Sequence, residues 1–204
     1  MVASESSRST LVSNIVAFIN TNNLDGVDID WEYSDEPNIP EIPRGTEADS
    51  TGFYLLLEEL QQIIAPNTPG KTISITAPAS YWYLEHFPIL ALSTVVDYIV
   101  YLTHDLHGQW DYGRAYSDLG CPGGNCLRSH VNITETVNAL SMITKAGVPF
   151  NMVAVGVSSY ARTFGMITGG CCTEMCTYDG LASGALRDLA RTWPDTSPTM
   201  SSTW

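Results

Sequence analysis

Apolar residues recur along this chain in alternating helical and strand periods. Over residues 9–20, STLVSNIVAFIN, Leu11, Ile15 and Ile19 fall on one helical face, with Ser9 placed to cap its start. GVDIDWEY (26–33) then alternates with period two and reads as a strand. A polar, proline-bearing loop runs from Ser34 to Asp49, and Phe53 to Ile64 reads as a Leu-rich helix stopped by Pro66. KTISITAPAS (71–80) alternates Ile73, Ile75 and Ala77 as a second strand. DYIVYLT (97–103) and NMVAVGVSS (151–159) supply a third and a fourth. A helix from about Ile133 to Ala146, stopped by Gly147, precedes the last of them. Strands separated by helices predict an α/β fold with a parallel sheet covered by helices. The chain shows no short internal repeat, low-complexity tract or second-domain linker.

One strand breaks the rule that charge stays outside. Asp25, Asp28, Asp30 and Glu32 crowd LDGVDIDWEY (24–33). Side chains on a strand alternate faces, so Asp28, Asp30 and Glu32 share one face at about 6.6–7 Å intervals. Val27, Ile29 and Trp31 take the other and can pack on helices. Asp25 is out of phase, and Gly26 permits the bulge that would bring it in. Crowded carboxylates destabilise their fully ionised state, so at least one should hold its proton near neutral pH. Glu32, last in the row, stands at the C-terminal end of the strand, where parallel α/β folds place active sites. A protonated carboxyl there is equipped to be a general acid. A divalent metal is the competing reading, but Ca2+ sites sit on turning loops rather than apolar strands. A chance cluster on a surface strand would leave Val27, Ile29 and Trp31 without a polar face outside.

Composition narrows the partner. The 204 residues are 44% hydrophobic and 15% charged, enough for one sizeable core. Lys plus Arg is 9 against Asp plus Glu 22, a net charge of −13. That excludes nucleic acid and anionic membrane, which demand a basic face, and raises no objection to a neutral sugar polymer. No apolar run approaches the roughly 18 residues of a membrane span. The polar start MVASESSRST reads as lacking a secretory signal.

The cysteines nonetheless suit secretion. CPGGNC holds Cys121 and Cys126, and GGCCTEMC holds Cys171, Cys172 and Cys176. Their clustering in Gly-rich loops reads as loop staples in an oxidising compartment. The Pro-Gly-Gly turn can bring the Cα atoms of Cys121 and Cys126 within the ~4.4–6.8 Å of a disulfide. A zinc site lacks the paired C-x2-C or Cys/His set it would need. Asn132-Ile133-Thr134 reads as a glycosylation acceptor, or equally as a helix cap with Glu135 completing a capping box.

DGVDIDWE resembles the D-G-x-D-x-D-x-E signature of glycoside hydrolase family 18, the chitinases and their relatives. The resemblance continues in order through ISITAPASYWYLEHFP, VVDYIVYLTHDLHGQWDYG and VAVGVSSYARTF, similar to the fifth, sixth and seventh strands of that family's barrel. The Cys-bearing loops resemble a fungal branch related to killer-toxin subunits. What this implies is a partial (β/α)8 TIM barrel carrying the family's fourth to seventh strands. Residues 1–184 would be a partial catalytic domain and 185–204 an unmatched tail. The first three strands would precede residue 1, and the eighth, with the tryptophan that floors the catalytic subsite, is unmatched. Four strands would leave two unpaired edges and an open interior.

The implied chemistry is retaining hydrolysis of β-1,4-linked N-acetylglucosamine polymers, with the substrate's own acetamido oxygen as nucleophile. By resemblance, Glu32 is the general acid, Asp30 orients the acetamido group and Asp28 tunes Asp30. Tyr33, His104, Asp105, Trp110 and Arg162 are the implied substrate contacts. His104 stands in Leu102-Thr103-His104-Asp105 where the family usually has a tyrosine. The Tyr81-Trp82-Tyr83 cluster follows a strand end and suits stacking or core packing alike. His107 and His130 read as structural. Neither metal nor cofactor is implied. The partner is chitin or its oligomers, the full-length form a monomer, the location extracellular. The competing readings are a non-catalytic chitin-binding or killer-toxin-like subunit, and a truncated, inactive gene product.

Overall fold

A computed structural model of the chain describes residues 2–34, 45–67, 69–114 and 120–180. The described residues fall into two compact units, the first within 2–106 and 131–158 and the second within 107–130 and 159–180. The expected boundary at 184/185 lies outside the described residues.

The first unit holds the regular structure. Helix α1 spans Glu5–Thr21, β1 Gly26–Ile29, α2 Glu47–Asn67, β2 Thr72–Pro78, α3 Tyr81–Leu84, α4 Ile89–Leu92, β3 Tyr98–Leu102, α5 Ile133–Lys145 and β4 Val153–Val155. The four strands form one parallel sheet in the order β1-β2-β3-β4, with Asp28 opposite Ser74, Ile75 opposite Ile99 and Tyr101 opposite Val155. Parallel neighbours need crossover connections, and α2 and α5 are the long ones.

Helix boundaries differ from the expected ones for identifiable reasons. Ser4, not Ser9, caps α1, because its hydroxyl accepts from the Ser7 N–H. Ser9 lies inside the helix, where its carbonyl accepts from the Ser13 hydroxyl. Helix α2 begins six residues before Phe53, at a reciprocal cap the hydrophobic pattern does not reveal. The Asp49 carboxylate accepts from the Thr46 N–H at 3.0 Å, and the Thr46 hydroxyl accepts from the Asp49 N–H at 3.3 Å. Pro66 does not stop α2 but sits in its last turn. The strand ladders are shorter than the alternating runs, and Phe150–Met152 is a 3-10 turn rather than the start of β4. Gly147 ends α5 as expected, at φ 101°.

The core lies between the sheet and its helices. Leu57, Leu60, Ile75 and Ile99 are fully buried, with Val12 and Ile19 of α1 beside them. Each such side chain contributes roughly 1.5–3 kcal/mol of transfer free energy. Arg8 is buried too, and is satisfied by the Glu59 carboxylate at 2.8 Å and the Val2 carbonyl at 3.0 Å. Tyr101 reaches through the core to donate to the Ala139 carbonyl of α5 at 3.0 Å. Among the described residues, no helix is long and apolar enough to cross a membrane.

The second unit is built from loops held by two disulfides, Cys121–Cys126 with Cα atoms 6.0 Å apart and Cys171–Cys176 at 5.8 Å. Cys172 is an exposed free thiol. Tyr178 is its buried anchor, the hydroxyl 3.0 Å from the carbonyls of both Gly108 and Gly124. Gly124 adopts φ 61°, and a side chain there would collide with the Asp111 carbonyl.

Candidate active site

The acidic row is held in place by the neighbouring strand. Because Asp28 pairs with Ser74 in the ladder, same-face side chains stand beside one another across the two strands. Ser74 donates to Asp28 at 2.6 Å and Thr76 donates to Asp30 at 2.7 Å. The opposite face packs inward as expected, with Val27, Ile29 and Trp31 against the core and Trp31 edge-on to Phe53 at 5.3 Å. The expected bulge at Gly26 does not form. Gly26 pairs regularly with Thr72, whose carbonyl leaves no room for a side chain, and Asp25 stays exposed outside the row.

Glu32 lies just beyond the paired part of β1, two residues past Asp30. Ser34, fully buried, approaches the Ser50 hydroxyl of α2 at 3.4 Å and so ties down the segment that carries Glu32. Burial pushes the Glu32 carboxyl above the usual carboxylate range, although one side of the residue is open to solvent. A hydrogen bond from Tyr33 opposes the shift, while the charges of Asp30 and Asp105 and a hydrogen bond with Asp30 add to it. Two carboxyl groups can share a hydrogen bond only when one carries a proton. The contacts with Asp30 and Asp105 therefore favour the protonated form of Glu32.

Tyr33 is pushed strongly up by burial and by the Glu32 charge, so it stays a neutral donor. Its ring stacks on Tyr83 at 4.4 Å, which leaves Tyr81 and Trp82 as the exposed members of that cluster. Asp105 follows β3 in the left-handed region at φ 54°, and its charge is felt by Glu32. The His104 Nδ1 stands 3.7 Å from Asp105 Oδ2, with both side chains mostly buried.

Trp110 and Arg162 form a second group, in the loop unit. The guanidinium lies 4.4 Å over the Trp110 ring and 5.7 Å from Tyr160. These residues, with Gln109, Thr163 and Phe164, line a concavity of about 570 Å³. His107 bonds Asp111 at 3.1 Å, and His130 meets the Tyr160 carbonyl at 3.2 Å, so both are engaged structurally. Sequence reasoning missed Ser74, Thr76 and Tyr160. For the first two the signal was present. Ser74 and Thr76 are the polar positions alternating with Ile73, Ile75 and Ala77 on a strand that is otherwise buried and apolar.

Comparison with known proteins agrees with this geometry. The family described as Glycosyl hydrolases family 18 matches residues 1–197. The chain is 50% identical over 177 residues to Secreted chitinase LysM12 of Penicillium expansum, covering 87% of this chain and 12% of that protein. It is 38% identical over 191 residues to Killer toxin subunits alpha/beta of Kluyveromyces lactis, covering 94% and 16%. The chain thus spans less than a fifth of the length of these relatives. Among solved structures it resembles a mutant of the Group II chitinase catalytic domain 2 of Ostrinia furnacalis, in complex with penta-N-acetylchitooctaose. That likeness has a TM-score of 0.68 at 25% identity and covers 87% of this chain and 45% of that one. With the parallel sheet and its crossover helices, it makes this fold part of a (β/α)8 barrel.

Proposed function

The chain belongs to glycosyl hydrolase family 18, in the branch it shares with the killer-toxin subunits, and from that premise we propose that it cleaves chitin with Glu32 as general acid. The observation that carries this reading is the place of Glu32, just past the C-terminal end of β1, with its carboxyl pushed above the usual carboxylate range by partial burial and hydrogen-bonded to Asp30. The solved relative's complex with penta-N-acetylchitooctaose supports the substrate class.

The geometry suggests each step. Glu32 donates its proton to the glycosidic oxygen as the C–O bond breaks. The carbonyl oxygen of the substrate's acetamido group attacks the anomeric carbon, and positive charge develops on that group. Asp30, fixed by Thr76, accepts from the acetamido N–H and stabilises the charge. Asp28, fixed by Ser74, adds negative potential below it. Water, deprotonated by Glu32, then opens the intermediate. Tyr33, His104 and Asp105 bound the acetamido group, and the Trp110–Arg162 pair offers an apolar ring face and a donor to a sugar. The named secretion of one relative and the disulfide-stapled loops support an extracellular location.

Two inversions at one carbon require that the first product of N-acetylglucosamine oligomer cleavage have the β configuration. Early-time proton NMR reads the anomer directly, and α product first would end the mechanism. Oligomer binding with no cleavage would instead favour a chitin-binding subunit, the reading suggested by the killer-toxin relative and by His104 beside Asp105.

The acid form of Glu32 predominates below its raised pKa, so turnover falls as pH rises through that value. Asp105→Asn removes one like charge from beside Glu32 and should move the alkaline limb of kcat/KM to lower pH. An unmoved limb would mean that Asp105 does not tune Glu32.

A further inference from the structure

Asn132-Ile133-Thr134 is the single Asn-x-Ser/Thr triad in the 204 residues, and the proposed hydrolysis makes no use of it. In the first unit Asn132 caps α5. Its Oδ1 accepts from the Thr134 N–H at 2.9 Å and from the Glu135 N–H at 3.1 Å, with the backbone extended at φ −147°, ψ 126°. The cap therefore uses only the amide oxygen. Among the described residues Nδ2 makes no hydrogen bond. N-glycosylation joins the sugar to Nδ2 and leaves Oδ1 a carbonyl acceptor, so one side chain can serve both purposes. Sequence alone set these readings against each other, and the geometry reconciles them.

The surroundings favour a covering group. Val131 is 43% exposed, Ile133 78% and Val137 53%, the last two one turn apart on the same side of α5 beside the cap. Apolar side chains exposed together there offer a surface that a sugar ring can cover. A glycan rooted at Nδ2 starts beside Val131 and Ile133, the chain neighbours of Asn132, and the C–H faces of its sugars are apolar. The two disulfides fit the oxidising compartment in which such transfer takes place.

We propose that Asn132 is an N-glycosylation site whose glycan shields the apolar start of α5. The donor is a lipid diphosphate-linked oligosaccharide. The Nδ2 lone pair forms the new C–N bond at the anomeric carbon, the C–O bond to diphosphate breaks with its electron pair, the lipid diphosphate leaves, and Nδ2 gives up one proton. No oxidant or reductant is involved.

The test is translation of the full chain behind a cleavable leader, with and without microsomes, followed by endoglycosidase digestion and gel mobility. Wild type and Thr134→Ser should show one glycosidase-sensitive step. Thr134→Ala and Asn132→Asp should show none, although both keep an N-cap on α5. Because transfer acts on the nascent chain, the result does not depend on folding or on hydrolytic activity. No step in wild type, with a control glycoprotein modified in the same reaction, would overturn the proposal. A step surviving in Thr134→Ala would do so equally.

Discussion

Replacing Glu32 with Gln should lower cleavage of N-acetylglucosamine oligomers by about 10²–10⁴-fold, the contribution of a positioned general acid. The substitution keeps the shape of the side chain and its capacity to hydrogen-bond with Asp30 and Tyr33. It removes the one proton the site can release to a leaving oxygen. Oligomer affinity should therefore be largely unchanged, and the loss should fall on kcat rather than KM. Burial is the leading cause of the raised Glu32 pKa, so neutralising the group relieves a local cost and should not weaken the fold. Steady-state kinetics beside calorimetric titration separates the two effects. Cleavage at the wild-type rate would remove Glu32 from the mechanism.

Asp30→Asn should cost roughly 10²–10³-fold in kcat, the usual loss when one group facing developing charge is removed. An amide in place of the carboxylate can still accept from Thr76. It carries no negative charge to meet the positive acetamido group, and it ceases to be a charged neighbour that helps hold the Glu32 proton. Two consequences should therefore appear together, a lower kcat and an alkaline limb shifted to lower pH. Measuring kcat across pH separates them. A shifted limb with kcat intact would leave Asp30 a tuner of Glu32 and nothing more.

Much of this was legible in the linear pattern, because burial imposes periods that survive without coordinates. Ile73, Ile75 and Ala77 alternate because β2 is buried along its length. Leu11, Ile15 and Ile19 recur at helical spacing because one stripe of α1 meets the core. The face-sharing of Asp28 and Asp30 follows from strand geometry alone. Boundaries were read less well, because they depend on single hydrogen bonds. The Thr46–Asp49 cap starts α2 well before its first core leucine, and Ser4 rather than Ser9 begins α1.

By itself, then, the sequence determined the alternation of strands and helices, the phase of the acidic row and the family to which that row belongs. These are properties of neighbours in the chain, and period and motif record them. Only the tertiary structure decided that Ser74 and Thr76 hold the aspartates, that Asp105 adds its charge to Glu32, and that Arg162 lies over Trp110. It also decided that Cys172 is the thiol left over from two bridges. Each of these joins residues from separate elements. Parallel register and loop closure bring them together, and neither leaves a period in the sequence.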